Sequence, residues 1–123
     1  MTVIPLASRQ SVRERTGGRC LRCGGNGAHW HHRRSRRVVD EHTHCACNGV
    51  WLCARCHSWA HHHPTKAKAE GYIVPPQFFP YLVPVWSFAT WWLLNHTGDV
   101  LPVNSQHVVV DECPSLAFET QQE

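Results

Sequence analysis

The chain has 123 residues and a formal net charge of +3. This length supplies one domain with a modest core, and no apolar run approaches the ~20 residues that a membrane-spanning helix needs. The charge is uneven. Residues 1–70 contain all twelve Lys and Arg residues against four acids, a formal charge of +8, whereas residues 71–123 contain five acids and no Lys or Arg. The basic part is a candidate surface for a polyanion such as a nucleic acid.

The N-terminal half is predicted to be mostly irregular, with one short strand. Residues 1–15 show no clear periodicity and predict a flexible basic arm. Residues 16–27 are rich in glycine and predict tight turns around the first cysteine pair. Residues 28–33 are compatible with a short strand, and residues 35–47 with a polar loop.

A second strand and a helical stretch are predicted next. Residues 48–49 are an Asn-Gly turn signal, and residues 50–52 are typical of a strand. Residues 54–69 are compatible with a helix. Pro64 interrupts this pattern, so that it either ends the helix after His61 or begins a second short helix.

The C-terminal part is predicted to be rich in β structure. Proline-rich extended chain follows residue 71, and residues 89–94 and 99–103 predict two strands joined by a turn. The tail from residue 111 to residue 123 is acidic and predicts disorder. Three tryptophans are expected to pack a small C-terminal core, namely Trp86, Trp91 and Trp92. The alternative is that they stack on nucleic-acid bases.

Two Cys-x-x-Cys pairs predict a structural metal site. Together they can fill all four corners of a tetrahedral zinc site, which leaves no position open for chemistry. The four residues are Cys20, Cys23, Cys53 and Cys56. Other cysteines lie close to the second pair and are competitors for this zinc. With two histidines they form a metal-capable cluster of their own: His42, His44, Cys45 and Cys47.

Three histidines predict a second metal site with open positions. His57 and His61 are one helical turn apart, so both side chains lie on one face and can hold one cation. His31 on the preceding strand is the expected third ligand. His32 is the next residue along that strand, so it points to the opposite face and is free to act as a general base. Two further histidines of the helix are alternative ligands: His62 and His63.

This order of residues resembles the HNH endonucleases, the ββα-metal nucleases. The resemblance covers roughly residues 20–72, and a weaker likeness to small phage HNH proteins extends beyond them. It implies an α+β fold, in which a ββα-metal motif is stapled by a four-cysteine zinc site and followed by a small β-rich extension. The residues that carry it are Cys20-x-x-Cys23, His31–His32–Arg33, Asn48–Gly49, Leu52–Cys53-x-x-Cys56–His57 and His61.

The resemblance implies metal-dependent hydrolysis of DNA phosphodiester bonds, by nicking or by double-strand cleavage. The implied cofactors are a structural Zn²⁺ and one catalytic divalent metal, either Mg²⁺, Mn²⁺, Ni²⁺ or Zn²⁺. The implied ligands of the catalytic ion are His31, His57 and His61, and His32 takes the place of the catalytic base. Asn48 either pins the loop that orients this base or ligates the metal, and we favour pinning because the histidines already supply three ligands.

Arginines next to the histidine doublet are expected to contact DNA. Arg33 is assigned to the catalytic residues, because it or Arg34 could clamp the scissile phosphate with a planar guanidinium. The expected DNA contacts are Arg33, Arg34, Arg36 and Arg37.

The predicted organisation has four segments. Residues 1–15 are the arm, 16–71 the zinc-stapled nuclease core, 72–110 a Pro/Trp-rich β extension packed on the core, and 111–123 the acidic tail. The absence of an apolar signal segment in the first 19 residues, together with metal-type cysteine spacing, predicts a cytoplasmic location, in the host if the protein is phage-encoded.

DNA is the expected partner, with no membrane involved. A phage terminase in genome packaging is a further expected partner, on analogy with phage relatives alone. The alternative function is a non-catalytic zinc-ribbon protein that binds nucleic acid or assists packaging. Such a protein would not need His32, Asn48 or the helix pair of histidines.

Overall fold

The structure is a computed structural model that describes residues 3–103 and has a mixed α+β architecture. Helix α1 is followed by two strands, two helices, a short 3₁₀ helix and three more strands. Among the described residues no helix is long and apolar enough to cross a membrane. The elements are α1 (Leu6–Arg15), β1 (His29–His32), β2 (Gly49–Leu52), α2 (Ala54–His62), α3 (Pro64–Ala69), the 3₁₀ helix (Pro80–Leu82), β3 (Val85–Ser87), β4 (Thr90–Leu94) and β5 (Val100–Val103).

Helix α1 is the largest departure from the predicted elements, because most of the expected flexible arm is a docked helix. Its Val12 side chain is fully buried. The Arg15 guanidinium donates hydrogen bonds to the carbonyl oxygens of Gly49 and Ala46, at 2.8 and 2.7 Å. These contacts hold α1 against the start of β2, so the prediction of a loose arm is wrong for residues 6–15.

Helix α1 ends where two glycines allow the chain to turn back. Gly17 and Gly18 have φ values of +63° and +82°. The Gly18 N–H donates to the Arg13 carbonyl at 2.8 Å, and the Gly17 N–H donates to the Glu14 carbonyl at 3.0 Å. This pattern satisfies the last carbonyls of the helix, as in a Schellman-type C-terminus.

The two short strands and the helical stretch agree with the sequence predictions. β1 and β2 pair antiparallel, with His31 opposite Val50 and His32 opposite Gly49. A side chain at position 49 would lie about 2.2 Å from the Trp30 ring, so glycine is required there. The predicted helical stretch is interrupted before Pro64: α2 ends at His62, and α3 begins at Pro64.

The C-terminal sheet shares its core with the β1–β2–α2 unit. β3, β4 and β5 form an antiparallel sheet in that order. The predicted strands at 89–94 and 99–103 are confirmed as β4 and β5, whereas β3 was not predicted. One buried cluster joins residues from the first sheet, the helices and the second sheet: Val50, Leu52, Ala60, Ala67, Tyr72, Val85 and Leu94.

The tryptophans do not form the predicted C-terminal core. Trp92 packs partly against the shared core cluster. Trp86 is 37% exposed, and its ring lies 5.1 Å from that of Trp91, measured between centroids. The acidic tail predicted at 111–123 lies outside the described residues.

Candidate metal centres and an adjoining groove

The two cysteine pairs converge on one point between a turn and a helix start. The first pair lies in the turn before β1, and the second lies at the beginning of α2. The four Sγ atoms all lie within 4.8 Å of one another. The Cys23 and Cys53 sulfurs are 3.7 Å apart. Zinc–sulfur bonds of ~2.3 Å in a tetrahedron place sulfurs about 3.8 Å apart, so the cluster fits a structural zinc ion.

Hydrogen bonds to the sulfur atoms favour the metal-binding thiolate form of Cys53, whereas burial outweighs them at Cys56 and raises the pKa of Cys56 to about 12. The N–H groups of Cys56 and Gly25 donate to the sulfurs of Cys53 and Cys23, at 3.3 and 3.4 Å. Arg22 donates to the Cys56 sulfur at 3.6 Å. Burial raises the pKa of Cys53, but the Cys56 N–H and the neighbouring thiols outweigh this effect and lower the pKa to about 7. Such contacts orient thiolate ligands before the metal binds.

The three predicted histidines form a second cluster on the same helix. Ring nitrogens of His31, His57 and His61 all lie within 4.8 Å of one another. The Nε2 atoms of His57 and His61 are 3.2 Å apart. Zn–N bonds of ~2.0–2.1 Å in tetrahedral geometry place the nitrogens about 3.3 Å apart, so this pair fits two corners of a metal site. The alternative ligands His62 and His63 do not belong to the cluster.

His31 is held in a protonation state that suits a metal ligand. Its Nε2 lies 2.7 Å from the Tyr72 carbonyl oxygen. A carbonyl can only accept a hydrogen bond, so the ring proton is on Nε2 and the Nδ1 lone pair is available. Burial, followed by the nearby His57 and His61, lowers the pKa of His31 to about 4. The imidazole is therefore neutral at physiological pH.

His32 points away from this cluster, as the strand alternation predicts, and contacts a second imidazole. Its Nε2 lies 3.1 Å from Nδ1 of His44, and its ring packs 4.4 Å from the Trp30 ring. Burial, followed by the nearby Arg36 and His44, lowers the pKa of His32 to about 4. A neutral imidazole with one nitrogen oriented by a neighbour can accept a proton at the other. The contact joins the end of β1 to the loop that carries His44, and it had no signal in the sequence.

Asn48 pins the loop that precedes β2 to the end of β1. Its side-chain oxygen accepts the Arg34 N–H at 2.7 Å. Its side-chain amide donates to the carbonyl oxygens of Arg34 and Thr43, at 3.2 and 3.0 Å. The side chain is fully buried and committed to these bonds, so the pinning alternative fits the structure and metal ligation does not.

Arg33 does not face solvent, so its predicted contact with a DNA phosphate is corrected. The side chain is 1% exposed. Its guanidinium donates to the carbonyl oxygens of Gly71 at 2.7 Å and Cys47 at 2.8 Å, and also to those of Pro80 and Val83. Burial is the main reason that its pKa falls to about 10, and at this value the group stays charged at neutral pH. Arg33 therefore stabilises the fold by joining these backbone segments.

Arg34 is corrected for the same reason, whereas the next two arginines remain candidates. Arg34 is 2% exposed, and its Nη2 contacts both carboxylate oxygens of Asp40 at 2.7 Å. Arg36 and Arg37 are exposed. The loop after β1 thus places two arginines inside the fold and two at the surface.

An open groove of about 640 Å³ lies beside the histidine cluster and is lined by arginines from two elements. Arg9 and Arg13 lie one turn apart on α1, so they share one helix face. Arg36 contributes from the loop after β1, and His57 lines the same groove. A phosphate chain in this groove would lie next to the candidate metal ligands. The arginines of α1 could not be assigned to it while residues 1–15 were expected to be a loose arm.

Comparison with known proteins does not assign this chain to a family. A scan against protein-family models and searches of curated proteins and of solved structures found no match. Function therefore has to be inferred from the residues and geometry of the two clusters and the groove.

Proposed function

We propose that this protein is a metal-dependent endonuclease of the HNH type, in which β1, β2 and α2 form a ββα-metal motif, and that it hydrolyses DNA phosphodiester bonds. One observation carries the proposal. The nitrogen cluster of His31, His57 and His61 lies at the edge of an arginine-lined groove, and His57 belongs to both. Metal ligands and phosphate-binding groups thus meet at one place on the surface.

The histidine cluster would hold the catalytic cation. His61 is exposed and His57 is half-buried, so a cation bound there would remain accessible to solvent and to a phosphate. Three imidazoles suit Zn²⁺, Ni²⁺ or Mn²⁺ better than Mg²⁺, which prefers oxygen ligands. When bound, the ion supplies Lewis-acid stabilisation of charge on the phosphate and on the leaving oxygen. The four-cysteine cluster would hold a structural zinc with no role in the reaction.

His32 is the proposed general base. With the ring proton on Nε2, His32 donates to Nδ1 of His44, and its own Nδ1 takes a proton from a water molecule. The resulting hydroxide forms a bond to phosphorus, the bond between phosphorus and the 3′ oxygen breaks, and that oxygen keeps the electron pair. The leaving oxygen takes a proton from solvent water, so the products are 5′-phosphate and 3′-hydroxyl ends. Asn48 supports this step at a distance, because it fixes the loop that carries His44.

The proposed DNA contacts are revised to the arginines that line the groove. Arg9, Arg13 and Arg36 replace the buried Arg33 and Arg34 as phosphate-binding groups. Their guanidinium groups can bind phosphate oxygens of any sequence. A terminase partner and a cytoplasmic location stay predictions.

A non-catalytic nucleic-acid-binding protein remains the second candidate. The arginine-lined groove and the four-cysteine cluster would serve a binding protein equally well. The histidine cluster and the His32–His44 pair are the features that a binding protein would not need. A cleavage assay separates the two functions directly.

The test is cleavage of supercoiled plasmid by the purified full chain with Mg²⁺, Mn²⁺, Ni²⁺ or Zn²⁺ added in turn. We expect nicked or linear DNA with at least one of these ions. His57→Ala and His61→Ala should abolish cleavage while binding to DNA persists. His63→Ala is the matched control, because His63 is an exposed neighbour outside the cluster, and it should cut normally. A wild-type protein that binds plasmid but never cuts it would establish the binding function instead.

A further inference from the structure

A third group of metal-binding side chains lies inside the loop before β2. His42, Cys45 and Cys47 are 4%, 4% and 0% exposed. One ring nitrogen of the histidine and the two sulfurs all lie within 4.8 Å of one another. The group is distinct from the four-cysteine cluster, so these cysteines do not compete for the same site. Their short spacing is set by the turn that Asn48 pins.

A fourth side chain, from the turn between β4 and β5, contacts one member of this group. His96 lies in the turn between β4 and β5, and its Nδ1 is 3.2 Å from the Cys45 sulfur. Tetrahedral zinc with ordinary bond lengths would place a sulfur and a nitrogen about 3.5 Å apart. His96 does not belong to the set of atoms that all lie within 4.8 Å of one another, so its side chain would have to move towards His42 and Cys47 to complete a tetrahedron.

The His42 ring has one nitrogen ready for a ligand. Among the described residues, its buried Nδ1 has no hydrogen-bond partner. Its Nε2 lies 3.4 Å from a carboxylate oxygen of Glu41. A histidine that binds zinc through one nitrogen commonly donates its other N–H to a carboxylate, and this contact also fixes the tautomer. A metal on Nδ1 would satisfy an atom that is otherwise costly to bury.

Two guanidinium groups donate hydrogen bonds to backbone carbonyls of the segment that carries the two cysteines. Arg33 donates to the Cys47 carbonyl at 2.8 Å, and Arg15 donates to the Ala46 carbonyl at 2.7 Å. These bonds fix the backbone of the segment on which both cysteines lie.

We propose that His42, Cys45, Cys47 and His96 form a second structural zinc site, of the Cys₂His₂ type. Two thiolates with two imidazoles are a ligand set that selects zinc, and all four positions would be filled by protein. The site would tie the loop before β2 to the turn between β4 and β5. This proposal does not depend on the nuclease function, since a binding protein would gain the same staple.

The test counts zinc ions in the full chain. A His57→Ala/His61→Ala background empties the histidine cluster, so only the proposed structural ions remain. Mass spectrometry of metals should then give about two zinc ions per chain, because each closed site holds one ion tightly. Adding Cys47→Ser or His42→Ala should lower the count to about one. The matched control His63→Ala should leave it at about two.

X-ray absorption at the zinc edge of the background protein tests the site without the added Cys47→Ser or His42→Ala change, either of which could prevent folding. One four-cysteine site and one Cys₂His₂ site average three sulfurs and one nitrogen per zinc, whereas the four-cysteine site alone gives only sulfur. About one zinc per chain with all-sulfur coordination would overturn the proposal. A Cys45–Cys47 disulfide in protein purified under reducing conditions would overturn it as well.

Discussion

The four-cysteine cluster and the three-histidine cluster share helix α2 but differ in how many ligands the protein supplies. Cys56 and His57 are adjacent residues, yet they belong to different clusters. Both clusters combine buried and exposed members, so burial alone does not separate them. The cysteine cluster fills a tetrahedron with protein atoms, whereas the histidine cluster supplies three ligands and leaves room for water and a phosphate.

The comparison shows how one turn of helix can contribute ligand atoms to two separate clusters. Side chains that leave α2 at successive positions point in directions about 100° apart. Cys56 therefore faces the turn that holds the first cysteine pair, and His57 faces β1 and the groove. Four predictions test this difference between the two clusters.

The largest effect is expected for the cysteine cluster. Cys53→Ser should lose the structural zinc and the folded state, because zinc binding of ~10–16 kcal/mol exceeds or matches the whole stability of a small domain. Zinc analysis and circular dichroism provide the measurement. His61→Ala is the matched comparison, and it should stay folded with the thiolate zinc retained. A folded Cys53→Ser protein with unchanged zinc content would contradict the assignment.

The second effect concerns the proposed base. His32→Ala should lower the rate of plasmid cleavage by roughly 10²–10⁴-fold, the usual contribution of general-base catalysis. Both metal clusters and DNA affinity should survive, because His32 lies on the opposite face of β1 from His31. Single-turnover cleavage and metal analysis check both expectations. Cleavage at the wild-type rate would exclude His32 as the base.

The third prediction orders the two sites by metal affinity. A chelator added in increasing amounts should remove the ion of the histidine cluster first, because three neutral ligands hold a cation less tightly than four thiolates. Cobalt-substituted protein allows both events to be followed. Cleavage should stop while the sulfur-to-cobalt absorption persists. Loss of that absorption before loss of cleavage would reverse the order proposed for the clusters.

The smallest effect is expected in the groove. Arg36→Gln should weaken DNA binding only modestly and reduce the slope of log affinity against log salt by about 1, as for one lost phosphate contact. Arg55→Gln is the matched control, because Arg55 is exposed on α2 but does not line the groove. Equal slopes for the two variants would remove the groove from the proposed interface.

The parts of the site that could be predicted depend on short sequence separations. A Cys-x-x-Cys pair, two histidines one helical turn apart and the alternation along β1 are fixed by local geometry. The structure accordingly groups the four cysteines and the three histidines as predicted. Pinning of the loop by Asn48 was favoured over metal ligation because three histidines already supply ligands, and its side-chain hydrogen bonds agree with this choice.

The parts that escaped prediction depend on contacts between distant segments. The run from Arg33 to Arg37 has one chemical character, but tertiary packing buries its first two arginines and exposes Arg36 and Arg37. Helix α1 was missed because its stability comes from docking of Val12 and Arg15 and not from a capping residue or an apolar stripe. β3 was missed because its hairpin turns at Phe88 and Ala89, which adopt positive φ without the usual Asn or Gly.

The burial of Arg33 has a consequence for how the chain unfolds. A single guanidinium bonds to carbonyl groups of the loop before β2, of Gly71 shortly after α3 and of the segment before β3. Opening any one of these segments would leave the buried charge of Arg33 without some of its hydrogen-bond acceptors, so the three segments are expected to open together. Amide hydrogen exchange should then show one slow, all-or-none unit that spans both sheets. A fragment ending at residue 71 would lack the Pro80 and Val83 carbonyls, two of the four acceptors of Arg33, and should not fold by itself.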